Sequence, residues 1–211
     1  MAMESRVNDQ GKQGFQRHLV RLRHPDYTVS NVGDTLPEIV LQGSHDRTAA
    51  TEIMIGMFRL VCGNGMLVAD GTIAGFRTKH IGSGVDELPA FMQSVPTLFD
   101  RSMKTISTWK SLELAAPERI ALAESAMSLK YDAQPFAPEN LLRARRVEDQ
   151  KPDLYTTFNV IQENLLRGGQ RYRTANLRRA STREVKSVGE NVRLNKSLWA
   201  LTEKMAELKA A

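Results

Sequence analysis

One cysteine in 211 residues, Cys62, excludes an internal disulfide, and its place in the apolar run FRLVC suits a small buried side chain better than a reactive thiol. The four histidines (His18, His24, His45 and His80) lack the spacing of a zinc site, so neither a metal nor another cofactor is expected. No apolar run approaches the roughly 18 residues that a membrane span needs, and a membrane partner is not expected. The polar opening MAMESRVNDQGKQG lacks the apolar core of a secretory signal, which makes a cytoplasmic location the expectation. Neither GxxxxGK[ST] nor GxGxxG occurs, which removes the common phosphate cradles of nucleotide-hydrolysing and dinucleotide-binding proteins. The Gly-rich lead IGSGVDEL carries Asp86 and Glu87, which occupy a positive helix end themselves.

The composition is otherwise that of a folding protein, with 41% hydrophobic and 25% charged residues. The net charge of +5 is unevenly spread. Between Leu165 and Lys196 stand nine basic residues (Arg167, Arg171, Arg173, Arg178, Arg179, Arg183, Lys186, Arg193 and Lys196) against two acids, Glu184 and Glu190, a local balance of +7. Folding does not require such segregation, and it concentrates a positive potential that a polyanion can use. Within GGQRYRTANLRRASTREVK, Tyr172 sits between Arg171 and Arg173, a pattern suited to single-stranded nucleic acid: arginines meet phosphates and a base stacks on the ring. A solvated loop, or an arm docking on an acidic face in a homo-oligomer, accounts for the same charges.

Residues 1–14 read as a loose arm and 15–211 as one α+β domain, mainly strands over 15–80 and mainly helices over 85–211. About four or five strands are expected. QRHLVRLRH alternates with period two, LPEIVLQ is a second strand, and EIMIGMFRLVC is apolar on both faces, as a central strand is. Asn64-Gly65 and Asp70-Gly71 then mark turns before return strands at 66–68 and 72–77. From Val85 the period becomes helical through Leu88, Met92, Val95, Phe99, Met103 and Ile106, with Pro96 expected to kink or divide the helix. Further helices are expected from Pro117, from Asp153 (Leu154, Phe158, Ile161, Leu165, stopped by Gly168-Gly169) and from Ser187. Ser187 and Glu190 are spaced as a capping box before the stripe Leu194, Leu198, Leu201, Met205, Leu208, which needs a partner surface. That makes about five helices packed on a mainly antiparallel sheet, with 168–186 as a basic loop.

Ser44, His45 and Asp46 are three catalytic residue types in a row, yet neighbours on extended chain point to opposite faces, while a triad converges from separate parts of a fold. A polar turn bonding its own backbone is the simpler reading.

The segments SHDRTAA, FRLVCGNGMLV, LYTTFNVIQENLLRGG and VRLNKSLWALTEKM, taken in order, resemble a phage- and plasmid-associated family, domain of unknown function 932, and its relative 945. Members are similar in carrying SHDG, a VCxNG segment, an NxxQENLxRGG helix end and an RLNxxLW helix. Here Arg47 stands where the family usually has Gly, and the N-terminal region is expected to be shorter than in many relatives. The resemblance makes Ser44, His45, Asp46, Cys62 and Asn64 family-motif residues of unassigned role. It implies a mobile-element setting and no established reaction.

The expected function is therefore sequence-nonspecific binding or annealing of single-stranded DNA by an oligomer, through Arg167, Arg171, Tyr172, Arg173, Arg178, Arg179, Arg183 and Lys186, rather than an enzymatic activity. The alternatives are a protein-binding inhibitor of a host defence or nucleic-acid-processing complex and, third, a metal-dependent hydrolase around His45 and Asp46.

Overall fold

A computed structural model of the chain describes residues 2–4, 17–23, 35–44, 51–59, 65–67, 76–78, 88–174 and 176–210. The chain divides into two compact units, Met1–Met103 and Lys104–Ala211, where the sequence reading treats 15–211 as one domain. The architecture is α+β, with an antiparallel sheet first and helices after it.

The first unit holds strands β1 (Ala2–Glu4), β2 (Arg17–Arg23), β3 (Thr35–Ser44), β4 (Thr51–Arg59), β5 (Gly65–Leu67) and β6 (Phe76–Thr78). Only β2, β3 and β4 are long, at 7, 10 and 9 residues. The order is β1-β2-β3-β4-β5, and β6 joins the other end of β4, so among the described residues the sheet has six strands, against the four or five expected. The additional strand is β1, whose Ala2–Glu4 lie in the stretch expected as an arm and pair with Arg21–Arg23. Its pairing is backbone chemistry, which composition does not reveal.

Period-two alternation decides what each face of the sheet carries. Ile39 lies opposite Ile55, and both pack with Phe91, Val95, Leu98 and Phe99 of helix α1 (Leu88–Ser111). The opposite face of β3 carries Glu38, fully buried and ion-paired with Arg21. Glu38 lies across from Gly56, where a Cβ would stand 2.6 Å from Val40 Cγ2 and 2.9 Å from Glu38 Cγ. That close approach is what requires glycine in this central strand.

Pro96 does not divide α1, which runs unbroken for 24 residues. Val95 and Leu98 anchor the turns around it on Ile55, so packing offsets the missing backbone donor. The undivided α1 is why four α-helices are described instead of about five. The second unit contains α2 (Ala116–Ser128), 3-10 turns at Pro138–Leu142 and Val147–Gln150, α3 (Leu154–Arg167), β7 (Arg171–Arg173), β8 (Arg179–Ser181) and α4 (Val188–Ala210).

Helix α3 is the centre of this unit, buried at every position from Asp153 to Leu166. Asp153 caps it by accepting the Thr156 N–H at 2.8 Å. Phe158 meets Trp199 of α4 edge-on at 5.9 Å, and Trp109 lies 4.4 Å from Trp199, forming a three-ring core. Three of the buried polar residues of α3 find distant partners: Gln162 donates to Asn195 Oδ1 at 2.6 Å, Glu163 accepts two bonds from Arg146 at 2.8 and 3.0 Å, and Asn164 donates to Leu141 O at 2.9 Å.

In α4, Leu194 and Leu198 are 1% exposed while Leu208 is 65% exposed, so the apolar stripe is covered only over its first turns. Half of the expected capping box forms. Ser187 Oγ accepts the Glu190 N–H at 3.4 Å, but the Glu190 carboxylate reaches forward to Arg193 at 2.7 and 2.8 Å. Arg193 in turn donates to the Leu129 carbonyl at the end of α2, at 2.7 Å. The Arg193 hydrogen bond holds the Glu190 carboxyl below its ordinary value of 4.5. A depressed folded pKa gives stability that is present above about 4.5 and lost as pH falls through the folded value. We expect the first turn of α4 to lose amide hydrogen-exchange protection in that acid range before the Trp109–Phe158–Trp199 core does; simultaneous loss in both regions contradicts it.

Candidate nucleic-acid interface

The segment 168–186, expected as a loop, is a β-hairpin mounted on the end of α3. Gly168 begins it with φ 65° and ψ −144°, a conformation that L side chains rarely adopt. Gly169 follows at φ 82°. Three backbone bonds fasten the hairpin base: Gly169 N–H to Thr182 O at 2.9 Å, Thr182 N–H to Gln170 O at 2.9 Å, and Val185 N–H to Leu166 O at 2.8 Å.

The last carbonyls of a helix need donors from outside it, and here cations supply two of them. Lys130 Nζ donates to Leu165 O at 2.6 Å and to Arg183 O at 3.2 Å. Arg145 donates to Gly168 O at 2.8 Å and to Asn164 Oδ1 at 3.1 Å. The Asn164 amide donates to Leu141 O and Arg143 O at 2.9 and 3.0 Å, and its oxygen also accepts from Gln170 at 3.0 Å. Burial lowers the Lys130 pKa, with the nearby Glu190 charge acting in the opposite direction. Lys130 and Arg145 are therefore anchors of the hairpin. Sequence reasoning missed both, since their partners lie 19 to 53 residues away.

The register Arg171↔Ser181, Tyr172↔Ala180, Arg173↔Arg179 sorts the side chains by face. Arg171, Arg173, Arg179 and Ser181 share one exposed face, while Tyr172 and Ala180 lie on the other and are half-buried. The Tyr172 ring sits 6.3 Å from that of buried Phe136, whose other neighbour is Tyr131 at 5.7 Å. Tyr172 is thus a packing residue of the hairpin's inner face. The ring thus lies on the opposite face of the hairpin from Arg171, Arg173 and Arg179.

Arg178 is exposed beside the hairpin tip, and Arg183 is exposed just beyond β8. Arg167, by contrast, pairs with Glu163 at 3.2 Å, and Lys186 also has an interaction of its own. Among the described residues, none of Arg171, Arg173, Arg178 and Arg179 has an ion-pair partner. Arg173 and Arg179 lie directly opposite each other, and like charges so placed destabilise a strand pair by a few tenths of a kcal/mol to about 1.

Leu177 also escaped the sequence reading. It is 73% exposed at the hairpin tip with φ 58°. A TANLR turn has no glycine to mark a left-handed position, so nothing in the sequence pointed to it.

Of the motif residues, Ser44 ends β3, while His45, Asp46, Cys62 and Asn64 lie outside the described residues. Among the described residues no group of His, Cys, Asp and Glu could hold a metal ion. No described helix is long and apolar enough to cross a membrane.

Comparison with known proteins places residues 1–199 in a match to the family described as Domain of unknown function (DUF932). The chain is similar to the UPF0380 protein YafZ of Escherichia coli (strain K12), 36% identical over 204 residues, covering 96% of this chain and 73% of that protein. It is also similar to the UPF0380 protein YfjQ of the same strain, 35% identical over 204 residues with the same coverage. No solved structure matches it.

Proposed function

The chain belongs to the domain of unknown function 932 family, and from that premise we propose that its helical unit binds single-stranded nucleic acid, preferably DNA, through the arginine face of β7 and β8. The observation that carries this reading is the Arg173–Arg179 pair: two cations opposed on one exposed face, with Arg171 beside them and no ion-pair partner for any among the described residues. Their mutual repulsion costs stability in the free protein and is relieved when phosphates arrive. Arg178 and Arg183 extend the cationic edge.

The preference for a single strand rests on what such a strand offers. A ribbon with three residues per strand is about 10 Å long, room for only a few phosphates. A flexible single strand can bring unstacked bases as well as phosphates to so small a patch, whereas a duplex keeps its bases paired and stacked behind the backbone. Phosphate contacts carry no sequence information, which makes the binding nonspecific.

The test is fluorescence anisotropy of a labelled oligothymidylate across a salt series. Affinity is expected to fall steeply with salt, and the Arg171→Ala/Arg173→Ala/Arg179→Ala variant should lose about 2 units of log–log slope, at roughly 0.7 per phosphate contact removed. Salt-independent or undetectable binding by the parent protein contradicts the reading. A protein complex that survives nuclease treatment, in the absence of oligonucleotide binding, would favour the inhibitor instead.

A further inference from the structure

We infer that Leu177 is an apolar contact for nucleobases, set at the tip of the cationic hairpin so that phosphates are held on its flank and a base face is covered at its end. The inference rests on the nucleic-acid reading above and deepens it. Thr174 O accepts the Leu177 N–H at 2.8 Å, and the Thr174 N–H donates to Arg178 O at 3.0 Å, closing the turn around Leu177. The residue before Arg178 in this turn is left-handed, a position that glycine or asparagine fills without steric penalty. Leucine is the more costly choice there, because its Cβ crowds the backbone at φ 58°.

It is also 73% exposed, the second most exposed of the large hydrophobic side chains among the described residues. Strain and exposure thus fall on one side chain. Its neighbours decide the class of partner. Arg178 is adjacent, and Arg173 and Arg179 are the nearest strand residues, so whatever reaches Leu177 passes a field of unpaired cations. A partner offering anions and flat apolar faces at adjacent positions is a nucleic-acid strand with unstacked bases. Apolar side chains that wedge against base faces are a known means by which proteins engage nucleic acid.

The experiment compares the parent protein with Leu177→Gly and Leu177→Asn, both compatible with the left-handed turn, against two oligonucleotides of equal length. One is oligothymidylate and the other carries abasic sites throughout. Both variants are expected to unfold at the same temperature as the parent or higher. Their affinity for oligothymidylate should fall about tenfold, the effect of uncovering roughly half a leucine side chain. The salt slope should be unchanged, because no cation is lost, and the abasic strand should bind parent and variants alike. Equal affinity of parent and variants for oligothymidylate overturns the inference while leaving the arginine reading standing. A matching loss on the abasic strand also overturns it, since the contact is then not to a base. If the parent binds neither strand, the nucleic-acid reading fails, and this inference with it.

Discussion

Replacing Gly168 by Ala is expected to lower the stability of the helical unit by about 2–6 kcal/mol, as the sum of two independent penalties. The first is conformational, because φ 65° with ψ −144° lies outside the regions open to L residues. The second is steric. A Cβ on Gly168 would stand 2.7 Å from Thr182 O and 2.7 Å from the Arg183 carbonyl carbon, and backbone there cannot yield without opening the hairpin base. Gly169 supplies the control. Its φ is 82° but nothing lies within 4 Å of its Cβ position, so Gly169→Ala carries only the conformational cost, about 1–2 kcal/mol. Thermal unfolding of both variants should show a markedly larger fall for position 168. Equal falls would mean that the hairpin is not packed against the end of α3 as described. Oligonucleotide affinity should drop with Gly168→Ala, since that packing sets where the arginine face points.

Glu163→Ala is the other change of comparable size, expected to cost about 3–5 kcal/mol. Glu163 is 2% exposed, accepts two bonds from Arg146 and pairs with Arg167 at 3.2 Å. Alanine removes both bonds that the Arg146 guanidinium, whose side chain is 24% exposed, makes to Glu163, and leaves its pair with Asp149 at 3.1 Å. The cost comes mainly from stranding a charge rather than from the worth of the pair itself. In a cycle of Arg146→Met, Glu163→Leu and their double variant, the double should therefore recover much of the loss, giving a coupling of about 1–3 kcal/mol. Urea unfolding of the four proteins measures it. Additive effects would show that the two side chains do not meet.

These two variants also account for the motif residues of the C-terminal half. In the QEN…GG and RLN…LW segments, Gln162 binds Asn195, Glu163 binds Arg146, Asn164 ties the end of α3 to the chain at Leu141 and Arg143, Gly168 makes the turn, and Trp199 packs on Phe158. Their work is architectural. They build the mount on which the hairpin sits, and the arginines they position are outside the motifs.

Local chemistry carried much of the fold into the sequence. The strands β2, β3 and β4 were readable from alternation and from an apolar run bounded by turn formers, and α3 from Asp153 as its cap, a 4,3,4 stripe and two glycines as its stop. Such features depend on residues within a turn or two of one another. The burial of Gln162 and Asn164 was not readable, because a polar side chain on a helix normally marks the solvent face until a distant partner takes its hydrogen bonds.

The site divides in the same way. Charge segregation over Leu165–Lys196 is a property of the sequence alone, and it singled out the segment. Which of those cations share a face was decided only by the register of β7 on β8, which gathers Arg171, Arg173 and Arg179 and turns Tyr172 inward against Phe136. Three-residue strands such as RYR and RAS lack the length for a periodic signal, and what holds them in place comes from Lys130, Arg145 and the carbonyls that end α3. The sequence by itself determined how much charge there is and where along the chain it lies. Tertiary structure decided which way each charge points, because direction depends on pairing partners that are distant in the chain and adjacent only once it has folded.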